Sequence, residues 1–327
     1  MAQQCRPVLR VPQFAGALAT LLSLSCFAAD EPGAPTGAAT AAAPPPSVAA
    51  AAGASARAQP IPPGHGRQTI VVGSERVEVF TWRPANWRDG PLLLLLHDAD
   101  GDAALLRDQA RTLADRHGYL LAAPQLGGAG FPFWRYPWAG IARRSFADDG
   151  VRLVAEPPQQ RLDALLRPLI DALRSTGEHP LPYALLGVGD GAQALIRWAA
   201  FATQEAIHIA LVTPGRPLLP TRRVDYPDGF GGLPAALASE TRLRDYVALP
   251  VTLIAGRPPA STVPGAAGDR PLERALNARN AVRQAALERN RAAHWRVVEV
   301  PDAGDDVRRL LASPLVAQAL LPLGGTD

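Results

Sequence analysis

Pro91 is followed by five consecutive leucines, Leu92 to Leu96, and the run stops at His97. A segment of that length is short for a helix, and it shows no alternation with polar residues. It reads as a strand buried on both faces, as in a parallel sheet with helices on each side.

The rest of the chain fits that frame, because strand signals alternate with helix signals. Thr69 to Val72 and Val77 to Trp82 are β-branched and aromatic, and Gly73-Ser74 between them predicts a hairpin turn. A helix is expected from Asp102 to Arg116, stopped by His117-Gly118, and a strand from Tyr119 to Ala123. Leu162 to Arg174 is amphipathic and helical despite Pro168. Then come a strand at Tyr183 to Leu186, a helix at Ala192 to Phe201, and buried strands at Ile207 to Val212 and Val251 to Ala255. A long Arg-rich helix from Arg270 to Asn290, a last strand from Trp295 to Val300 and a last helix from Val307 to Leu321 close the chain. The expected fold class is α/β, a mostly parallel sheet covered on both faces, in one domain over 66–327.

The preceding residues predict export. Arg6 and Arg10 give a positive start, Ala15 to Ala29 are apolar and small, and Cys26 and Ala28 sit at the offsets for cleavage after Ala28. The apolar run is too short to span a bilayer, so no stable membrane span is expected after cleavage. Residues 1–28 therefore read as a signal peptide and 29–65 as a disordered Ala/Pro-rich linker. The protein is expected in the periplasm or outside the cell. Both cysteines, Cys5 and Cys26, lie in the signal; cleavage leaves a chain without thiols, whereas lipidation of Cys26 is the alternative.

The basic residues narrow the chemistry. All 33 are arginines, which excludes Schiff-base catalysis by lysine. They are interspersed with Asp and Glu except at Arg143-Arg144 and Arg222-Arg223, so the net charge of +3 predicts no nucleic-acid partner. His65, His97, His117, His179, His208 and His294 show no metal-ligand spacing, and no cofactor is expected.

The strongest local signal is the strand–turn–helix reading Gly187-Val188-Gly189-Asp190-Gly191-Ala192-Gln193. A phosphate cradle is one reading of such a turn, but Asp190 at its mouth would repel an anion and the spacing of the phosphate-binding motifs is not met. The turn resembles that of the α/β-hydrolase superfamily, in which G-x-S-x-G lifts a nucleophile above the sheet. More narrowly, the chain is similar to bacterial polyhydroxybutyrate depolymerases and esterases. Arg83-Pro84, the leucine strand ending in His97, Gly191-Ala192-Gln193 with Arg197, Pro214-Gly215 through Pro220 to Tyr226-Pro227-Asp228-Gly229, and Arg270 to Arg274 with Ala275 follow that group's order.

The resemblance implies a Ser-His-Asp triad, and this chain departs from it at each member. Gly189 stands at the nucleophile position, Pro259 at the acid position and Asp305 at the histidine position. The oxyanion segment reads His97-Asp98 in place of His-Gly, and a carboxylate there opposes a developing oxyanion. The expectation is a catalytically inactive protein, a pseudoenzyme, binding a small molecule or a protein partner at a cleft formed by Gly187, Asp190, Gly191, His97 and Asp98. The alternative is a hydrolase of ester or acyl bonds with a displaced nucleophile: Asp190 if the turn shifts by one residue, or Ser145, with His97 as a base. Trp134, Tyr136 and Trp138, with Arg135, Arg143 and Arg144, are expected either to line a ligand groove or to pack as a lid. Arg257 and Asp305 are expected to form an ion pair in the emptied site.

Overall fold

In the computed structural model the described residues are 56–147, 150–176, 179–203, 205–258 and 271–320. The expected signal peptide, most of the linker and Pro259 lie outside them. Strands β1 (Gly64–Val72) and β2 (Glu75–Arg83) form the predicted hairpin, each longer than the β-branched stretch alone suggests. Packing begins earlier than the expected boundary at Gly66. Ile61 is buried, and the Gln59 backbone N–H donates to Oε1 of Gln68 at 2.7 Å, so the linker does not extend through 56–65.

The leucine run is β3 (Leu92–Leu96), and all five side chains are fully buried. Successive strand residues point to opposite faces, and the core divides accordingly. Leu92, Leu94 and Leu96 enter one apolar cluster, whereas Leu93 and Leu95 enter the other.

The sheet has eight strands in the order β1-β2-β4-β3-β7-β8-β9-β10. Its further members are β4 (Leu120–Pro124), β7 (Tyr183–Val188), β8 (His208–Val212), β9 (Val251–Gly256) and β10 (Arg296–Val300). Apart from the pairings of β2 with β1 and β4, every neighbouring pair is parallel. Helices α1 (Ala103–His117), α6 (Val307–Ala312) and α7 (Pro314–Leu320) cover one face. The other is covered by α2 (Asp163–Arg174), α3 (Asp190–Phe201), α4 (Glu240–Val247) and α5 (Pro271–Glu288).

Local signals set the ends of these elements. Asp102 caps α1 by accepting from the N–H groups of Ala104 and Leu105, and Gly118 ends it in the left-handed conformation. The expected last helix is instead two, divided at Ser313-Pro314, since a proline N supplies no hydrogen-bond donor. Two elements carry no strong sequence signal. They are α4 and a separate two-stranded hairpin of β5 (Ala142–Ala147) and β6 (Gly150–Ala155).

Connections from β3 run to β4 on one side, and β7 lies on the other. The carboxyl ends of β3 and β7 therefore meet where the strand order reverses, the place at which open α/β sheets form their crevice. His97-Asp98 and Gly189-Asp190 are the residues that leave those two ends.

Candidate functional site

The turn between β7 and α3 is as tight as its glycines predict. A Cβ on Gly187 would lie 2.5 Å from the Gly191 carbonyl oxygen, and one on Gly191 would collide with the Leu96 carbonyl. Gly189 has φ 54° and ψ −117°, a conformation that side-chain-bearing residues adopt only with strain. The sharp bend therefore falls at Gly189 itself. Asp190 begins α3, so the register is not shifted to place Asp190 at the apex.

The space beside that apex is filled from β3. A Cβ on Gly189 would lie 2.5 Å from Oδ2 of Asp98 and 2.6 Å from its Cγ. The Oδ1 atom of Asp98 accepts hydrogen bonds from the backbone N–H of Asp190 at 2.9 Å and from that of Ala99 at 2.9 Å. In a working elbow those two kinds of donor, the N–H after the nucleophile and an N–H from the loop after β3, receive the oxyanion. Here they receive a side chain of the same protein.

A second carboxylate stands close by. The Asp190 carboxyl titrates above the usual range, first because burial disfavours its charge, then because Asp98 is near; Arg197 opposes this and Asp100 adds to it. Its Oδ1 accepts from Nε2 of Gln193 at 2.5 Å, and Oε1 of Gln193 accepts from Nη1 of Arg197 at 3.1 Å. The Gln and Arg noted in the sequence thus form one chain of hydrogen bonds leading away from the elbow. Arg197 is fully buried and donates to the carbonyls of Pro227 (2.9 Å), Pro137 (3.1 Å) and Arg216 (2.9 Å). It binds the loop after β8 and the segment before β5 to α3.

His97 is committed elsewhere. The Leu126 N–H can only donate, so Nε2 of His97 is the acceptor in that 3.0 Å bond. The Asp98 carbonyl can only accept, so Nδ1, 2.5 Å away, carries the proton. Burial lowers the pKa of the imidazole, which is held neutral, its acceptor nitrogen turned to the backbone. A base needs a free acceptor nitrogen facing the nucleophile, and His97 offers none in this arrangement.

Of the two expectations for the aromatic segment, a ligand groove or a packed segment, the burial of its rings matches the second. Tyr136 and Trp138 are buried, and Trp134 is half-buried against the core. The Tyr136 hydroxyl donates to the His97 carbonyl at 2.5 Å, and Trp138 packs edge-on against Phe133 and Tyr226. An amphipathic ring finds its best burial by directing its polar tip to a carbonyl, and that drew Tyr136 inward. These rings pack the wall behind the site.

The remaining positions lie at the ends of β9 and β10. The Gly304 N–H donates to the Arg257 carbonyl at 3.1 Å, and the Arg257 N–H to that of Val300 at 2.9 Å. The expected ion pair does not form. Arg257 pairs with Glu299 on the neighbouring strand, within easier reach, and Asp305 is exposed. Asp306, next to it, caps α6 by accepting from the Arg309 N–H at 3.1 Å. Ser145 sits on β5 opposite Arg152 in the hairpin. Among the described residues no group of His, Cys, Asp and Glu is arranged to hold a metal, and no helix is long and apolar enough to cross a membrane.

Sequence reasoning identified Asp98 as an unfavourable neighbour. It missed that the carboxylate enters the donor pair itself. The signal was an Asp at the one position where the resemblance calls for glycine.

No family model and no curated protein matches the chain. Solved structures do. The poly(3-hydroxybutyrate) depolymerase LpqC from Bordetella parapertussis is 23% identical, with a TM-score of 0.60 over 74% of this chain and 86% of that one. Poly(aspartic acid) hydrolase-1 from Sphingomonas sp. KT-1 is 21% identical, with a TM-score of 0.64 over 76% of this chain and 96% of that one. At these identities the likeness speaks for the fold, and it agrees with the strand order, with the turn after β7 and with the meeting of β3 and β7 at the reversal. The architecture of this chain is the α/β-hydrolase fold.

Proposed function

We propose that this is an exported protein of hydrolase fold that has given up acyl hydrolysis and uses the cleft around Gly189 to bind a small molecule or a protein partner. The observation that carries the reading is the Asp98 carboxylate, held by the N–H groups of Asp190 and Ala99 beside an apex with no side chain. Acyl transfer needs an attacking atom, a base for its proton and an empty donor pair for the oxyanion. Gly189 supplies no attacking atom, His97 has its acceptor nitrogen engaged, and the donor pair holds an anion. Export rests on Arg6, Arg10 and the apolar stretch to Ala29.

The test combines a fluorophosphonate probe with a thermal-shift screen on the purified protein. The reading expects no covalent labelling, and at least one ligand class that raises Tm in wild type but not in a variant altered at the cleft. Labelling abolished by substituting one named residue, Asp190 or Ser145, would overturn it in favour of an ester-type hydrolase with a displaced nucleophile.

A further inference from the structure

Arg222-Arg223 is one of the two places where the arginines are not interspersed with acidic residues, and the elbow makes no use of it. The pair lies in the loop after β8, which the fold sets against the last turns of α5. Between loop and helix is a hollow of about 440 Å³. Three arginines line it, Arg222, Arg223 and Arg289, against one carboxylate, Glu288. None of the residues at the elbow belongs to its lining.

Two of the three guanidinium groups are held in place from outside the hollow. Arg222 donates from Nε to the Ala238 carbonyl at 2.6 Å and from Nη2 to Oε2 of Glu240 at 3.4 Å. The Arg289 side chain is only 13% exposed, and its Nη1 donates to the Ala285 carbonyl at 2.9 Å. Its Nε lies 2.7 Å from Oε1 of the same Glu240, an ion pair in which the N–H is not aligned on the oxygen. Glu240 is not part of the lining, so one carboxylate fixes two of the cations that are. Such outer support is how a charged site is kept in shape before its ligand arrives. Arg223 is exposed, and its backbone N–H donates to the Thr221 hydroxyl at 3.1 Å, but among the described residues its guanidinium has no partner. Glu288 is turned aside, accepting from Nε2 of Gln284 at 3.2 Å.

We propose that this hollow binds a phosphate monoester, with its phosphate held by Arg222, Arg223 and Arg289 and its organic group resting on Leu219, Pro220, Ala281 and Ala285. Three cations against one lining carboxylate leave an excess of positive charge that a dianion offsets. The planar guanidinium fork also matches pairs of phosphate oxygens. A carboxylate brings one charge and two oxygens to the same three groups, a poorer match. The apolar wall is what separates a monoester from inorganic phosphate. The inference does not depend on whether the elbow is catalytic.

The experiment is titration calorimetry on the full chain with phenyl phosphate, inorganic phosphate and benzoate, beside flotation with phosphatidylcholine vesicles with and without phosphatidic acid. The two arms separate a soluble monoester from a lipid headgroup carrying the same group. Binding of phenyl phosphate or of phosphatidic acid vesicles is expected, weakening as salt rises. In the soluble arm, inorganic phosphate and benzoate should bind more weakly than phenyl phosphate. Affinity for the ester should rise from pH 5 to 7 as it takes its second charge near pH 6. Arg223→Ala removes a side chain with no partner to lose and should weaken binding ~10-fold or more, as should Arg289→Ala. Arg76→Ala, an exposed arginine of β2 outside the hollow, removes the same charge and should bind as wild type does. Absence of binding in both arms at millimolar ligand overturns the proposal. So does affinity unchanged in Arg223→Ala, and so does benzoate bound as tightly as phenyl phosphate.

Discussion

Asp98 and Gly189 share one volume: the side chain of the first fills the place where a side chain on the second would go, with 2.5 Å between Oδ2 of Asp98 and a Cβ built on Gly189. The bare Gly189 apex and the position of the Asp98 carboxylate are thus a single steric fact. The pair also fixes what each residue can be replaced by.

Gly189→Ser should therefore fail to install a working nucleophile on its own. The new side chain displaces Asp98 from the N–H groups of Asp190 and Ala99 and imposes the strained φ on a residue with a Cβ, for a cost of about 1–3 kcal/mol. In an Asp98→Gly background only the strain remains. Urea denaturation of both single variants and the double variant should give a coupling energy favouring the double by roughly 1 kcal/mol or more. Additive effects would mean that the two residues do not compete for the same space.

Asp98→Asn should lower the pKa of the Asp190 carboxyl. Burial is the first cause of its elevation and remains, whereas the repulsion from Asp98 is removed, so the value moves toward the usual range without reaching it. Carbon-detected NMR titration of Asp190 in the two proteins reads this directly. An unchanged midpoint would place the carboxylates farther apart than described.

Two buried histidines should make the fold acid-sensitive. His208 accepts or donates at 2.9 Å to the Thr252 hydroxyl, and its pKa is lowered to about 4 by burial and then by Arg296. His97 is lowered as well, chiefly by burial. The unfolded chain then binds protons below about pH 6.5 that the folded chain refuses, so stability is complete above that pH and falls as the pH drops toward 4. The loss from His208 alone should be about 2–3 kcal/mol. Urea midpoints for wild type and His208→Gln between pH 7 and 4 should converge as the pH falls, and parallel curves would contradict the assignment.

Arg197→Lys should not rescue Arg197→Met. The guanidinium reaches three carbonyls and Gln193 in one buried plane, which a single ammonium cannot do. Each variant should lose about 3–5 kcal/mol, measured as a shift in urea midpoint. A lysine variant as stable as wild type would show that the fan of hydrogen bonds holds little.

Where each element could be read in advance depended on what dictates it. The leucine strand and the glycine turn are set by local sequence, since nothing but a doubly buried strand suits Leu92 to Leu96 and nothing larger than glycine fits between Leu96 and α3. The β5–β6 hairpin has exposed side chains on much of its surface, so neither an apolar run nor a clean alternation marks it. Helix α4 is short and half charged, with Leu243, Tyr246 and Val247 its only buried members. The site divided in the same way. That Gly189 lacks an attacking group follows from its identity, but that Asp98 turns into the donor pair, His97 toward Leu126 and Arg257 toward Glu299 depends on directions that only the packed chain supplies.

We propose that the elbow performs no acyl transfer while Asp98 accepts from the N–H groups of Asp190 and Ala99. Hydrolysis of short-chain nitrophenyl esters, followed side by side for wild type, Asp190→Asn and His97→Gln, tests it most directly. Rates equal to buffer are expected for all three proteins. Turnover by wild type that disappears in either variant would contradict it.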